Sequence, residues 1–475
     1  MGLRLRLFAT TVFLLAAVAA RGQTYAIDFL ATAATGAAMD PGGRVVAGLV
    51  GLPPACEGCP PSFDVPAIWA GGTRHLLELP AAGTYVTFAG ISAQGWVAGA
   101  VMRADSTGGA GRLWVPRPDG SGYDARPLGV LPGYEDAMPA GIDARNRVFG
   151  LARTWFVGEA PFVWSEDAGM QDLRALGYPA EPPVAVSPEG TVATSSLSYR
   201  FGEPGSVTAV TPPPPGFHGM PSALTGAVND AGTRASFLLS TSGTPSGYRY
   251  LARHTEGSGW QVLAGPVIAG QPFGIGSVDP AGTVTASLKQ VAYRAAGPTG
   301  PATPVANLIS AAYGAPGTVA ASVAGDQADD GSFLASVLIG RSMRLVKLVP
   351  VQPCVGSCMR VASLELNGRM IPAPGQPGQC VPGASNQVRV RLVVSTPTGQ
   401  PVRGATIRGR FLDDEHADVA VTLTTNVLGR ASAGYAGPAC VGAVAFLVDG
   451  VERPGLELDR TVGSLASYVV PRSRP

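Results

Sequence analysis

Lysine is nearly missing from this chain of 475 residues: Lys289 and Lys347 are the two it has, and every other basic residue is arginine or histidine. Charge of either sign is sparse, 14% of residues against an ordinary ~25%, and the formal net charge is +1. No basic field is present to neutralise phosphates, which excludes nucleic acid and an anionic membrane surface as partners. Histidine is as scarce. His75, His218, His254 and His416 fall in no His-Glu-x-x-His or His-x-His spacing that sets two imidazoles on one metal. A Gly-x-Ser-x-Gly elbow is also absent, as is a glycine-rich phosphate loop opening a helix. No cofactor and no metal site is expected. Carboxylates gathered from distant segments leave no linear trace, so these absences do not remove them.

Long apolar runs are absent after the first twenty residues. Arg4 and Arg6 precede an apolar stretch over 7–20 that is shorter than the ~20 residues of a membrane span, with small residues at Ala17, Ala19, Ala20 and Gly22 at and just past its end. This reads as a signal peptide over 1–22, cleaved before Gln23. No cysteine for lipid attachment follows it. The expected product is extracytoplasmic, secreted or periplasmic, without stable membrane insertion, and monomeric.

What is abundant is glycine, 64 residues, and proline, 43 residues. Both break long helices, while a 46% hydrophobic content supports a folded core. A repeat organises the rest. Met39-Asp40-Pro41-Gly42-Gly43-Arg44-Val45 has counterparts at Ile91-Ser92-Ala93-Gln94-Gly95-Trp96-Val97 and Ile142-Asp143-Ala144-Arg145-Asn146-Arg147-Val148. Further copies start at Val186, Val228 and Val278, and a degraded seventh covers 327–335. The glycine-equivalent positions 43, 95, 146, 190, 232, 282 and 331 recur at intervals of 42 to 52 residues, the size of one four-stranded blade.

In each unit an apolar strand end leads into Asp, Ser or Asn, whose short side chain can cap the turn. Gly or Asn then supplies a left-handed residue. The following strand carries Val45, Val97, Val148, Val192, Val284 or Phe333 and, two residues on, a small residue, which reads as a crowded inner strand. Arg234 interrupts this apolar series. Strands ending in Trp69, Trp114 and Trp164 follow, then leucine-bearing ones. The last unit lacks an outer strand and 25–30 precedes the first unit, so pairing these two segments would close a ring and leave no exposed edge. The expected fold is all-β, a seven-bladed β-propeller over 23–349.

Ala140-Gly141-Ile142-Asp143, Val148-Phe149-Gly150 and the apolar-Trp strand after them resemble the extracellular repeat proteins of the HAF family, over residues 25–345. That resemblance implies export and a repeat-built β fold, and no activity. A linker over 350–360 precedes a second domain at 361–475, with strand-like runs at 361–366, 388–394, 405–411, 420–424 and 444–448. There, Gly399-Gln400-Pro401-Val402-Arg403-Gly404 and Thr425-Asn426-Val427-Leu428-Gly429 resemble bacterial extracellular Ig-like domains.

Six cysteines in an exported chain favour disulfides. Cys380 with Cys440 would staple the second domain, and the pairs Cys56–Cys59 and Cys354–Cys358 would close small rings.

The segments 49–66, 101–111 and 151–160 differ most between units and would crowd on one propeller face, opposite the capped turns. Phe63, Asp64, Arg103, Asp105, Trp155, Phe156 and Glu159 within them are the candidate ligand contacts. The expected function is therefore an exported, non-enzymatic binding or surface-interaction protein with a glycan or protein ligand. The alternative is a propeller glycoside hydrolase or lyase whose carboxylates come from several blades.

Overall fold

The capped turns are present in the computed structural model as side-chain-to-backbone hydrogen bonds. Asp40 Oδ1 accepts the Val45 N–H at 2.7 Å, and Asp143 Oδ1 accepts that of Arg147 at 2.9 Å. Ser187 Oγ, Asn229 Oδ1 and Asp279 Oδ1 accept the N–H four residues on, at 2.9, 2.9 and 2.7 Å. The glycine-equivalent residue has positive φ in all seven copies, including Asn146 at 59°. That is why only Gly or Asn stands there.

The structure describes residues 23–32, 34–52, 62–78, 84–103, 108–154, 158–219, 226–241, 248–267, 273–314, 319–339, 342–371, 385–413, 418–438 and 443–470. Among them there is no α-helix, and no helix is long and apolar enough to cross a membrane. Chain contacts divide the molecule into two units, one of residues 29–305 and 320–347, the other of 1–28, 306–319 and 348–475.

The larger unit is propeller-like: each capped turn joins the first two strands of a small antiparallel sheet, and seven such sheets follow one another. The first runs Ala34–Met39, Val45–Leu52, Ser62–Ala70, Thr73–Leu76. In the seventh the order is Val319–Gln327, Phe333–Ile339, Ser342–Val351 and then the N-terminal strand Thr24–Thr32. The chain's first strand thus completes its last repeat sheet.

Apolar side chains pack sheet on sheet. Ala38, Ala47 and Ile68 meet Val86, Val97 and Trp114 of the second sheet. Met39, Val46 and Trp69 meet Ala328, Leu334 and Leu345 of the seventh. The fourth and fifth sheets share a much smaller cluster, Ala185, Ala193 and Val228. The fourth is also the most abbreviated, with strands of two to four residues.

Two points differ from the sequence reading. The strand before the turn, not the one after it, is the edge strand of each sheet nearest the axis; strand order within a sheet has no local signal. The small residue two places after the apolar one also has a different cause. In four sheets the preceding strand carries a register shift, and in the second and third this β-bulge goes with a carbonyl lying over that position. A Cβ on Gly150 would stand 2.3 Å from Met138 O, and one on Gly99 2.1 Å from Thr87 O.

In the other unit, two four-stranded sheets carry the core. One is ordered Arg430–Pro438, Ser385–Ser395, Cys358–Ile371, Glu457–Leu458, and the second Val419–Thr424, Thr406–Asp413, Val444–Glu452, Ala466–Val469. Val388, Val390, Leu392 and Val394 are buried while Gln387, Arg389 and Arg391 are exposed, the alternation of a one-faced strand. Phe411 lies between Tyr435 and Phe446, ring centroids 5.3 and 4.8 Å away. Arg460 ties in the N-terminal strand, donating to Asp28 Oδ1 at 2.7 Å and Ile27 O at 2.8 Å.

Candidate functional site

The innermost strands of the seven sheets converge on one cavity of about 400 Å³. Each sheet contributes the end of its innermost strand and the start of its capped turn, so the lining repeats around the axis: Pro41, Ala93, Ala144, Pro188, Asp230, Pro280 and Asp329 stand at one equivalent position. Two of these are acidic. Asp326, from the innermost strand of the seventh sheet, is a third carboxylate at the same cavity, and Asp279 and Glu189 also line it.

The carboxylates differ in environment. Asp326 is half-buried and accepts the Met39 N–H at 3.1 Å; burial pushes its pKa up to about 7, against that hydrogen bond. Asp329 is raised too, first by burial and then by the negative charges of Asp230, Asp330, Asp40 and Asp279. Asp230 is held by two donors, the Ser187 hydroxyl and the Glu189 N–H, the latter at 3.0 Å. The cavity therefore has in its lining a carboxyl poised to be protonated near neutrality and, from another sheet, a carboxylate fixed by two donors. Among the described residues no group of three His, Cys, Asp or Glu side chains is placed to hold a metal ion.

Of the loop residues singled out from sequence, Arg103 and Glu159 have described side chains. Arg103 ends its strand exposed, its guanidinium 3.7 Å from the buried Asp136. Glu159 is exposed and sits opposite Arg153 in the strand register. Neither lines the cavity. Phe63 and Asp64 fall on the strand Ser62–Ala70, but their side chains lie outside the described residues, as do Asp105, Trp155 and Phe156 altogether. Cys354 and Cys358 form a disulfide; Cys56, Cys59, Cys380 and Cys440 lie outside the described residues. Sequence reasoning missed Asp230, Asp326 and Asp329. The available signal was position: a residue one place past each cap returns to the axis in every repeat.

No protein-family model matches the sequence, and no curated protein does. Among solved structures the chain is similar to XC5397 from Xanthomonas campestris, a gluconolactonase, at 14% identity and TM-score 0.35, over 71% of this chain and 93% of that one. It is similar to the polysaccharide lyase Uly1 at 10% identity and TM-score 0.30, over 68% and 78%. With a Pyrococcus horikoshii acylaminoacyl peptidase the identity is 9% and the TM-score 0.29, over 83% and 58%. These neighbours are enzymes, which corrects the expectation of a non-enzymatic binding or surface-interaction protein.

Proposed function

We propose that this chain is a glycoside hydrolase of propeller form, cleaving a neutral glycan with carboxylates drawn from different blades. The observation that carries the reading is Asp326, with its pKa near 7, on the same axial cavity as Asp230 and Asp329. Acetal cleavage needs one carboxylic acid and one carboxylate and nothing more. The protonated Asp326 would donate its proton to the glycosidic oxygen as the C–O bond breaks. Asp230 would take the proton of the attacking water as its oxygen bonds to the sugar carbon. A cavity with this many carboxylates repels uronate, and that favours hydrolysis of a neutral chain over the eliminative cleavage of an acidic one.

In the same reading the seven sheets are the blades of a closed propeller and the two further sheets an immunoglobulin-like sandwich. The HAF-type repeat pattern, the signal-peptide pattern and the Cys354–Cys358 disulfide support an exported protein.

Reducing ends released from a panel of neutral and uronate-bearing oligosaccharides test this. Neutral substrates should be cleaved, and Asp326→Asn should lower the rate by about a hundredfold or more, as expected for loss of a general acid. No release from any substrate, or an unchanged Asp326→Asn rate, overturns the proposal.

A further inference from the structure

A second site is built where the fourth and fifth sheets meet. Arg234, the residue that interrupts the apolar series of the repeats, is 4% exposed. Its guanidinium reaches across to the fourth sheet, donating to Thr194 O at 3.0 Å, Leu197 O at 2.7 Å and Ser198 Oγ at 2.5 Å. These acceptors are neutral. Among the described residues Arg234 has no carboxylate within ion-pairing distance, and its Nε is buried without a hydrogen-bond partner. The carboxylate that acts on it from farther away, Glu181, is itself engaged by the hydroxyls of Thr194, Ser195 and Ser196. Burial lowers the Arg234 pKa to about 10, which leaves the side chain charged at neutral pH.

Arg234 heads a row. It pairs directly with His254, and His254 with Trp260, so the three side chains share one face of the fifth sheet. His254 Nε2 is 2.8 Å from Thr211 Oγ1, while its Nδ1 is a second buried atom without a partner. Two cavities flank the row. One, of about 260 Å³, has Arg234 and Trp260 in its lining with Val184, Val210, Pro212 and Ala227 as apolar walls. The other, of about 350 Å³, includes His254. The apolar cluster between these two sheets is correspondingly small.

A buried guanidinium facing neutral carbonyls leaves net positive charge in a poorly solvated place, which costs stability unless an anion balances it. The adjoining space is mostly apolar and bounded by an indole. We propose that this cleft is a binding site for a small organic carboxylate with an apolar ring, the carboxylate on Arg234 and the ring against Trp260 and the proline wall. The cleft adjoins the axial cavity, sharing Gly226 and Ala227 in its lining, and its proposed ligand does not depend on the hydrolase reading.

Calorimetric titration of the full chain with benzoate and with benzamide, its neutral counterpart, tests the site. Benzoate should bind and quench tryptophan fluorescence, and benzamide should bind at least tenfold more weakly. Arg234→Met should weaken benzoate about tenfold or more, the loss of one charge-assisted hydrogen bond. Trp260→Phe should keep the binding heat and lose the quenching. If Arg234→Met does not fold, the benzoate–benzamide contrast and Trp260→Phe decide. Equal binding of the two compounds, no binding of either, or benzoate affinity unchanged in a folded Arg234→Met protein overturns the proposal.

Discussion

Asp143 and Arg147 hold each other twice: Asp143 Oδ1 accepts the Arg147 backbone N–H at 2.9 Å, and Asp143 Oδ2 accepts the Arg147 guanidinium at 2.6 and 2.7 Å. One carboxylate thus caps the turn and pairs a charge while fully buried. The equivalent Ser92 makes the cap alone, accepting the Trp96 N–H at 3.2 Å. Asp143→Ala should therefore cost about 3 kcal/mol, since it leaves a largely enclosed guanidinium unpaired, and Ser92→Ala about 1 kcal/mol. Urea denaturation of the two variants measures the difference. Equal losses would mean that the ion pair adds nothing to the cap.

Gly150 sits beneath the bulge of its neighbouring strand, where a Cβ would meet Met138 O at 2.3 Å and the Phe162 ring at 2.7 Å. Backbone cannot yield there as a flexible side chain would. Gly150→Ala should destabilise by about 3 kcal/mol through overpacking. Gly205, whose Cβ would meet nothing and whose φ is not positive, should accept alanine within about 0.5 kcal/mol. Thermal melting of both variants distinguishes a steric demand from a general sensitivity to glycine loss.

Asp326 gives a pH dependence of defined sign. Its pKa is higher folded, at about 7, than the ordinary 3.8, so the folded state holds the proton more tightly. Its favourable contribution is full below pH ~4 and is lost as pH rises through ~7. At about 1.4 kcal/mol per pH unit the full loss is a little over 4 kcal/mol, on the order of the shift itself. Asp326→Asn should match the wild type near pH 4 and exceed it in stability by a few kcal/mol at pH 8, while losing hydrolysis. A stability difference that does not grow between pH 4 and pH 8 would contradict the buried carboxyl.

Cys380 and Cys440 should be found joined by peptide mapping without reductant. Ser385 faces Pro438 in the register of the strands Ser385–Ser395 and Arg430–Pro438, and in the sequence Cys380 stands five residues before the one and Cys440 two after the other. The bridge would then link strands of one sheet, not two sheets. Free thiols at both positions in protein prepared under oxidising conditions would refute the pairing.

Much of the repeat was legible because its chemistry is local. Asp40, Ser92 and Asp143 announce a cap, and Gly43, Gly95 and Asn146 a left-handed residue, whatever surrounds them. The axial site was not legible, because Pro41, Ala93, Ala144 and Pro188 occupy the position that Asp230 and Asp329 make acidic. Asp326 falls just before the degraded seventh copy and belongs to no motif. Arg234 was visible as an exception without a reason, since its acceptors Thr194 and Leu197 are some forty residues away in a different sheet.

The pairing of Thr24–Thr32 with Ser342–Val351 also orders events in time. A ribosome makes one partner long before the other, and over three hundred residues separate them. The seventh sheet must wait for its opening strand to be met by its closing one, while the earlier sheets assemble from hairpins of neighbouring segments. Loop closure over such a span is entropically costly, and folding dominated by distant contacts is slow. Until that contact forms, the nascent molecule carries two unpaired strand edges, and this interval is when it is most exposed to self-association and most dependent on a chaperone.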